Sequence, residues 1–150
     1  MHLMITTKVE MDMDRVRDGF TKELFLALNP PFPKVDLLEF GGCRKGDKVS
    51  IMLKFPFFSQ IWISEIYDDL SSNKAWYFAD RGVKLPFFLS KWDHSHIVRR
   101  VKDGSEIVDD ITFSSGMILF DILLYPVLLG QFIYRKPIYK KWFKKEKQLV

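Results

Sequence analysis

The sequence predicts an α+β domain in which one antiparallel sheet covers one long helix. Three observations predict it. Between Val35 and Phe113, six stretches of strand character follow one another, set apart by turn residues. Ahead of them, residues 3–9 read as a first strand and residues 11–28 as short helices. Behind them, residues 117–147 read as one long helical stretch. The 150 residues, 47% apolar and 28% charged, suit a single domain spanning 1–150. A chain of this length buries enough surface to need no disulfide or metal staple. Its one cysteine, Cys43, excludes an internal bridge and a zinc-knuckle framework.

Each element has a local reason. LMITTKV (3–9) carries the Ile, Thr and Val of a strand. Asp12 or Asp14 is placed to cap a short helix, Gly19 interrupts, and Phe20, Leu24, Phe25 and Leu28 then recur at helical spacing. Asn29, Pro30, Pro31 and Pro33 end that helix and force extended backbone. The strands that follow are VDLLEF, KVSIMLKF, IWISEIY, KAWYFAD, WDHSHIVRRV and EIVDDITF. Gly46-Asp47, Pro56, Ser71-Ser72-Asn73, Gly82 and Asp103-Gly104 are expected to turn the chain between them. Ser114-Ser115-Gly116 is expected to cap the last helix, with kinks at Pro126 and Pro137.

Residues 117–134, MILFDILLYPVLLGQFIY, are apolar enough to raise the question of a membrane span. Asp121, Pro126 and Gln131 stand against it, because an aspartate near a helix centre costs about 2.5–3.5 kcal/mol on insertion scales. The expectation is therefore a helix buried between the sheet and whatever the sheet encloses, with no membrane span.

Charge narrows the partners. Residues 135–150 hold seven bases and one acid, whereas the other 134 residues hold 16 bases and 18 acids. The net charge of +4 thus reports a basic tail, not the spread footprint of a nucleic-acid binder. That tail is expected to be a solvated helix end, with at most weak contact to an anionic surface. The opening MHLMITTKVEMDMD is acidic and lacks a basic-then-apolar leader, so a cytoplasmic location is expected. Gly41-Gly42 precedes a strand, not a helix N-terminus, so no phosphate-cradling loop and no cofactor are expected. Cys43 has no adjacent base and reads as inert.

Aromatic residues make up 15% of the chain, enough to fill a large core or to line an apolar cavity. One group of residues has possible chemistry. Alternation puts Trp92, His94, His96 and Val98 on one face of their strand, and Ile107, Asp109, Ile111 and Phe113 on one face of the next. These apolar-rich faces should point inward. With Asp103-Gly104 as a two-residue turn, Lys102 pairs with Ser105. His96 then lies opposite Ile111 and diagonal to Asp109, and His94 opposite Phe113. Three readings stay open for this set: buried structural hydrogen bonding, the polar end of an apolar pocket, or a facial metal site of His94, His96 and Asp109. In the pocket reading, His96 and Asp109 are the candidate acid–base pair.

Leu28-Asn29-Pro30-Pro31, Trp62 with Ile66, Leu85-Pro86-Phe87, Trp92-Asp93-His94-Ser95-His96, Asp109 with Ile111 and Phe113, and Arg135 with Tyr139 occur in that order along the whole chain. In this order they resemble the START-like, or SRPBCC, superfamily, and most closely bacterial ligand-binding SRPBCC domain proteins. The resemblance implies a helix-grip fold: about seven antiparallel strands curled around a C-terminal helix, two short helices after the first strand, and a tunnel between sheet and helix. It implies a lipid, sterol, polyketide or quinone as ligand, or for a minority of members a cyclase or dehydratase activity. It supplies no shared catalytic residues. Trp62, Trp76, Phe78, Trp92, His94, His96, Asp109 and Phe113 from the sheet, and Phe120, Leu124, Tyr125 and Leu128 from the helix, are the expected tunnel residues. Tyr125 and Gln131 are expected as polar contacts, and Asp121 as the partner of a basic side chain.

The functional expectation is a protein that binds a small hydrophobic or amphipathic ligand, for transport or sequestration. Two alternatives stand beside it: an enzyme of the polyketide cyclase type in the same cavity, and an interaction module acting through the basic tail.

Overall fold

The structure, a computed structural model, describes residues 1–145. The last helix, expected to run to about Lys147, ends earlier, at Trp142, with Phe143 as its C-cap; the tail from Glu146 onward lies outside the described residues. The elements run β1 (His2–Val9), α1 (Met13–Asp18), α2 (Lys22–Ala27), β2 (Lys34–Phe40), β3 (Lys48–Lys54), β4 (Ser59–Ser71), β5 (Ala75–Lys84), β6 (Lys91–Val101), β7 (Gly104–Ser114) and α3 (Ile118–Trp142).

All seven strands form one antiparallel sheet in the order β1-β7-β6-β5-β4-β3-β2. Irregularities at Leu37/Glu39, Ile63/Ser64 and Ile66/Asp68 interrupt the ladders of β2 and β4. Extra residues of this kind bend a strand and increase its twist, which lets the sheet curl. The inner hollow is closed by α1 and α2 at one end and by α3 along its length. Asp12 caps α1 by accepting from the Arg15 amide at 3.2 Å, and Thr21 caps α2 through the Leu24 amide at 3.4 Å.

Four local expectations need correction. Gly82 is not a turn but lies inside β5, where Leu85 folds back so closely that a Cβ would meet its Cδ2 at 2.3 Å. The β6–β7 turn is centred on Lys102-Asp103, so Val101 pairs with Gly104 and Arg100 with Ser105. Gly104 is a strand residue with φ of +148°, packed so tightly that a Cβ would stand 2.1 Å from the Val9 carbonyl oxygen. The register therefore moves by two residues: His96 lies opposite Asp109, and His94 opposite Ile111. Because the shift is even, every side chain keeps its face.

The third correction is at the start of α3. Its N-cap is Met117, without a side-chain cap bond. Instead Asp121 reaches back and accepts from the Ser115 amide at 2.5 Å, the Ser115 hydroxyl at 2.6 Å and the Ser114 hydroxyl at 3.2 Å. Asp121 is thus the partner of two serines, not of a basic side chain. The fourth concerns burial. Only Asp121, Leu128, Phe132 and Tyr139 of α3 are buried, and its opposite face is exposed and apolar from Ile118 to Tyr134.

The core is in two parts. One cluster joins Met13, Val16 and Leu24 of the short helices to Trp76, Phe78, Val98, Ile107, Tyr139 and Phe143. The other joins Leu3, Ile5, Trp92, Ile111 and Phe113 of the sheet to Leu128 and Phe132 of α3. What separates them is the candidate site.

Candidate functional site

Four elements change from apolar to polar at the same level. Along β6 the inward side chains are Trp92, His94, His96 and Val98; along β7 they are Phe113, Ile111, Asp109 and Ile107. On β5, Asp80 follows Phe78 and Trp76 on the inner face, and on α3, Arg135 lies between Phe132 and Tyr139. The result is one buried polar layer between two apolar clusters.

Strand pairing explains the geometry. Asp80 lies opposite His94, Phe78 opposite His96, and His96 opposite Asp109. The shortest contact runs diagonally: His94 Nε2 is 3.0 Å from Asp109 Oδ1, on side chains 4% and 1% exposed. His94 Nδ1 and His96 Nε2 face Asp80 Oδ2 at 3.8 and 3.4 Å. The two imidazoles have centroids 3.6 Å apart, and His96 stacks on Phe78 at 4.3 Å. Arg135 completes the layer, with its Nη1 3.9 Å from Asp109 and its guanidinium 4.3 Å above the Phe132 ring centroid.

Burial and these neighbours set the protonation states. Burial, with the His94 imidazole alongside, pulls His96 down to about 4, against the pull of Asp80 and Asp109, so it is neutral at physiological pH. Burial pushes both carboxyls up, but their histidine partners overcome it. Asp80 is held below the usual carboxylate range chiefly by His96, and Asp109 by His94 and then Arg135. The Tyr139 hydroxyl is pushed upward by burial and by Asp109, so it stays a neutral donor. Two buried polar atoms have no hydrogen-bond partner among the described residues: His96 Nδ1 and the Tyr139 hydroxyl. Unpaired buried groups are uncommon, and both belong to residues that line the same space.

That space is a cavity of about 400 Å³ between sheet and helices. Of the expected tunnel residues, Trp62, Phe78, Trp92, His94, His96, Leu124 and Leu128 line it. Trp76, Asp109 and Phe113 are buried beside it in the core and do not line it. Phe120 is 52% exposed on the outside of α3, and Tyr125 packs on the sheet cluster, so neither faces the cavity. Gln131 does line it. Asp80, Phe20, Arg135 and Tyr139 line it as well, and sequence reasoning assigned them no place there. For Asp80 a signal existed: alternation in KAWYFAD puts it on the face of Trp76 and Phe78. Cys43 also lines the cavity, but burial pushes its thiol up to about 12, which keeps it un-ionised and inert.

The structure also rearranges the candidate metal set. Asp80, His94 and His96 offer ligand atoms within 4.8 Å of one another. Asp109 lies outside that set and faces both rings from the other side, 3.0 Å from His94 Nε2 and 3.5 Å from His96 Nδ1, where it orients them.

Comparison with known proteins agrees on the fold. No protein-family model matches the sequence, and no curated protein matches it. Solved structures do match. Truncated norcoclaurine synthase from Thalictrum flavum has a TM-score of 0.68 at 15% identity, over 98% of this chain and 95% of that one. The Zhui aromatase/cyclase from Streptomyces sp. R1128 has a TM-score of 0.65 at 16% identity, over 93% and 90%. A protein from Staphylococcus epidermidis has a TM-score of 0.60 at 16% identity, over 99% and 95%. The likeness spans nearly the whole of each chain. Seven curled antiparallel strands, two short helices after β1 and a long C-terminal helix make this a helix-grip α+β fold, which these structures share.

Proposed function

We propose that the protein binds a small hydrophobic or amphipathic ligand inside the sheet–helix cavity, with the ligand's polar end at the His96–Tyr139–Arg135 layer. One observation carries this reading. A mostly apolar cavity of about 400 Å³ is lined by two residues, His96 and Tyr139, that each hold a buried polar atom without a hydrogen bond among the described residues: His96 Nδ1, 3.5 Å from Asp109 Oδ1, and the Tyr139 hydroxyl. A cavity of this size and character suits a drug-sized molecule. Tyr139 and Arg135 are donors, so a ligand carbonyl, hydroxyl or carboxylate satisfies them; removal of the ligand's apolar body from water contributes about 0.8 kcal/mol per methylene. Trp62 and Trp92 line the cavity with ring centroids 4.7 Å apart, so their fluorescence reports on its contents. Titration with long-chain fatty acids and with naphthoquinones should change that fluorescence saturably for one class, and more weakly in Tyr139→Phe. No saturable response to either class would count against the reading.

A second reading follows from the carboxylates flanking the imidazoles. His94 sits between Asp109 and Asp80, and the neutral His96 beside it is in the protonation state of a general base. Two of the similar structures are named as a cyclase and a synthase, which fits an enzyme in the same cavity. Ligand extracted from wild type and from His96→Ala distinguishes the readings: a product mass in the first and a substrate mass in the second indicates turnover, and one mass in both indicates binding. A metal mass that vanishes in Asp80→Asn would instead assign the cluster to an ion.

A further inference from the structure

We infer that the mouth end of the molecule docks on an anionic lipid bilayer. This goes beyond ligand binding and does not depend on it. The strand pairings put Lys34, Lys54, Ser59, Lys84, Lys91 and Ser114 at one end of the sheet: Lys34 pairs with Lys54, Lys54 with Ser59, Ile63 with Lys84, and Lys91 with Ser114. The segments projecting beyond that end are LNPPFP (28–33), FPFF (55–58), LPFFLS (85–90) and SSGMILF (114–120), and none holds a charged side chain. The helix continues ILLYPVLLGQFIY (122–134), again without charge. Asp121 is the one acid in this cap, and Ser114 and Ser115 hold it.

The cap is both apolar and open to solvent. Phe57 is 98% exposed, Phe87 74%, Leu119 69% and Leu123 66%. Its aromatic part is continuous: Phe32 meets Phe55, Phe55 stacks on Phe58, and Phe58 meets Phe87. Phe32 and Phe55 line the same cavity as Leu124 and Val127 of α3, so the aromatic loops and the helix flank one opening. A lone exposed Leu needs no explanation, but a contiguous patch of this kind marks a contact surface.

Charge identifies the occupant. Exposed lysines adjoin the loops: Lys34 after the first, and Lys84 and Lys91 on either side of the third, while Lys54 before the second is paired with Asp36. An apolar cap that enters the acyl region with a basic collar at headgroup level matches an anionic bilayer. A second copy fits worse. Cap-to-cap pairing sets one lysine collar against another, and the nearby Asp36 and Asp121 are already engaged by Lys54 and the serines. The position of the opening gives the contact a use, since an apolar ligand then passes between bilayer and cavity without crossing water.

Vesicle flotation tests this with the full chain and no added ligand. The probes are vesicles of phosphatidylcholine alone and of phosphatidylcholine with phosphatidylserine. The wild type should float with the second kind, less as salt rises. Phe57→Ser with Phe87→Ser, and separately Leu119→Ser with Leu123→Ser, should each lower partitioning about tenfold or more. Lys84→Glu with Lys91→Glu should abolish the preference for phosphatidylserine. The altered side chains are exposed, so thermal melting checks that each variant is folded, and two independent apolar pairs guard against one that is not. Wild type that floats with neither vesicle overturns the proposal. So does binding that survives both apolar pairs but is lost on removing residues 144–150, because the basic tail is then the contact. A wild-type dimer that Leu119→Ser with Leu123→Ser splits, without vesicle binding, assigns the face to a second copy.

Discussion

His96 makes the folded state sensitive to acid. Its imidazole is held near 4 in the fold, against about 6.5 in the unfolded chain, so the unfolded state takes up its proton first as pH falls. Its neutral form is therefore compatible with full stability above pH 6.5. Between pH 6.5 and about 4, stability should fall by about 3 kcal/mol. Asp80 and Asp109 are depressed, so their contribution is present above the ordinary carboxylate range and is lost only below it. The two effects thus occupy successive pH windows. Urea unfolding measured from pH 7 to 4 should show the first loss in the wild type and a much flatter profile in His96→Gln. Parallel profiles would show that His96 is not buried neutral among these partners.

The elements place that layer through their register, and the β6–β7 turn fixes the register. Gly104 combines a φ of +148° with direct contact against the Val9 carbonyl, so no larger residue fits without moving β1 or β7. Gly104→Ala should cost about 1–3 kcal/mol from backbone strain alone, and more where the strands must part. Unchanged stability in a urea melt would mean that the turn relaxes freely.

This turn also shows what the sequence discloses and what it does not. The inward placing of His94, His96 and Asp109 was legible because alternation survives a shift of two residues. The pairing of His96 with Asp109 was not, because Asp-Gly reads as the turn centre although Gly104 is needed as a strand residue. Asp80 was masked by its place at the end of an apolar run. The exposure of α3 was hidden for another reason: hydrophobicity says a surface will be covered, not that the cover belongs to the same chain.

At the scale of the whole molecule, the sheet and α3 meet without filling the space between them, even in a chain so rich in Phe. The aromatics instead divide between two core clusters and the rim of the opening. The proposed binding function requires that this space take up a ligand. Ile51 lines it from β3, so Ile51→Trp should fill part of it with little change in stability, since the added ring occupies existing room. The direct measurement is native mass spectrometry of wild type and Ile51→Trp after exposure to a cell lipid extract, followed by release of whatever is bound. The wild type should carry a discrete apolar molecule at near-stoichiometric amount, and Ile51→Trp little or none. Equal masses of bound material on both proteins, or none on either, would contradict the proposed function.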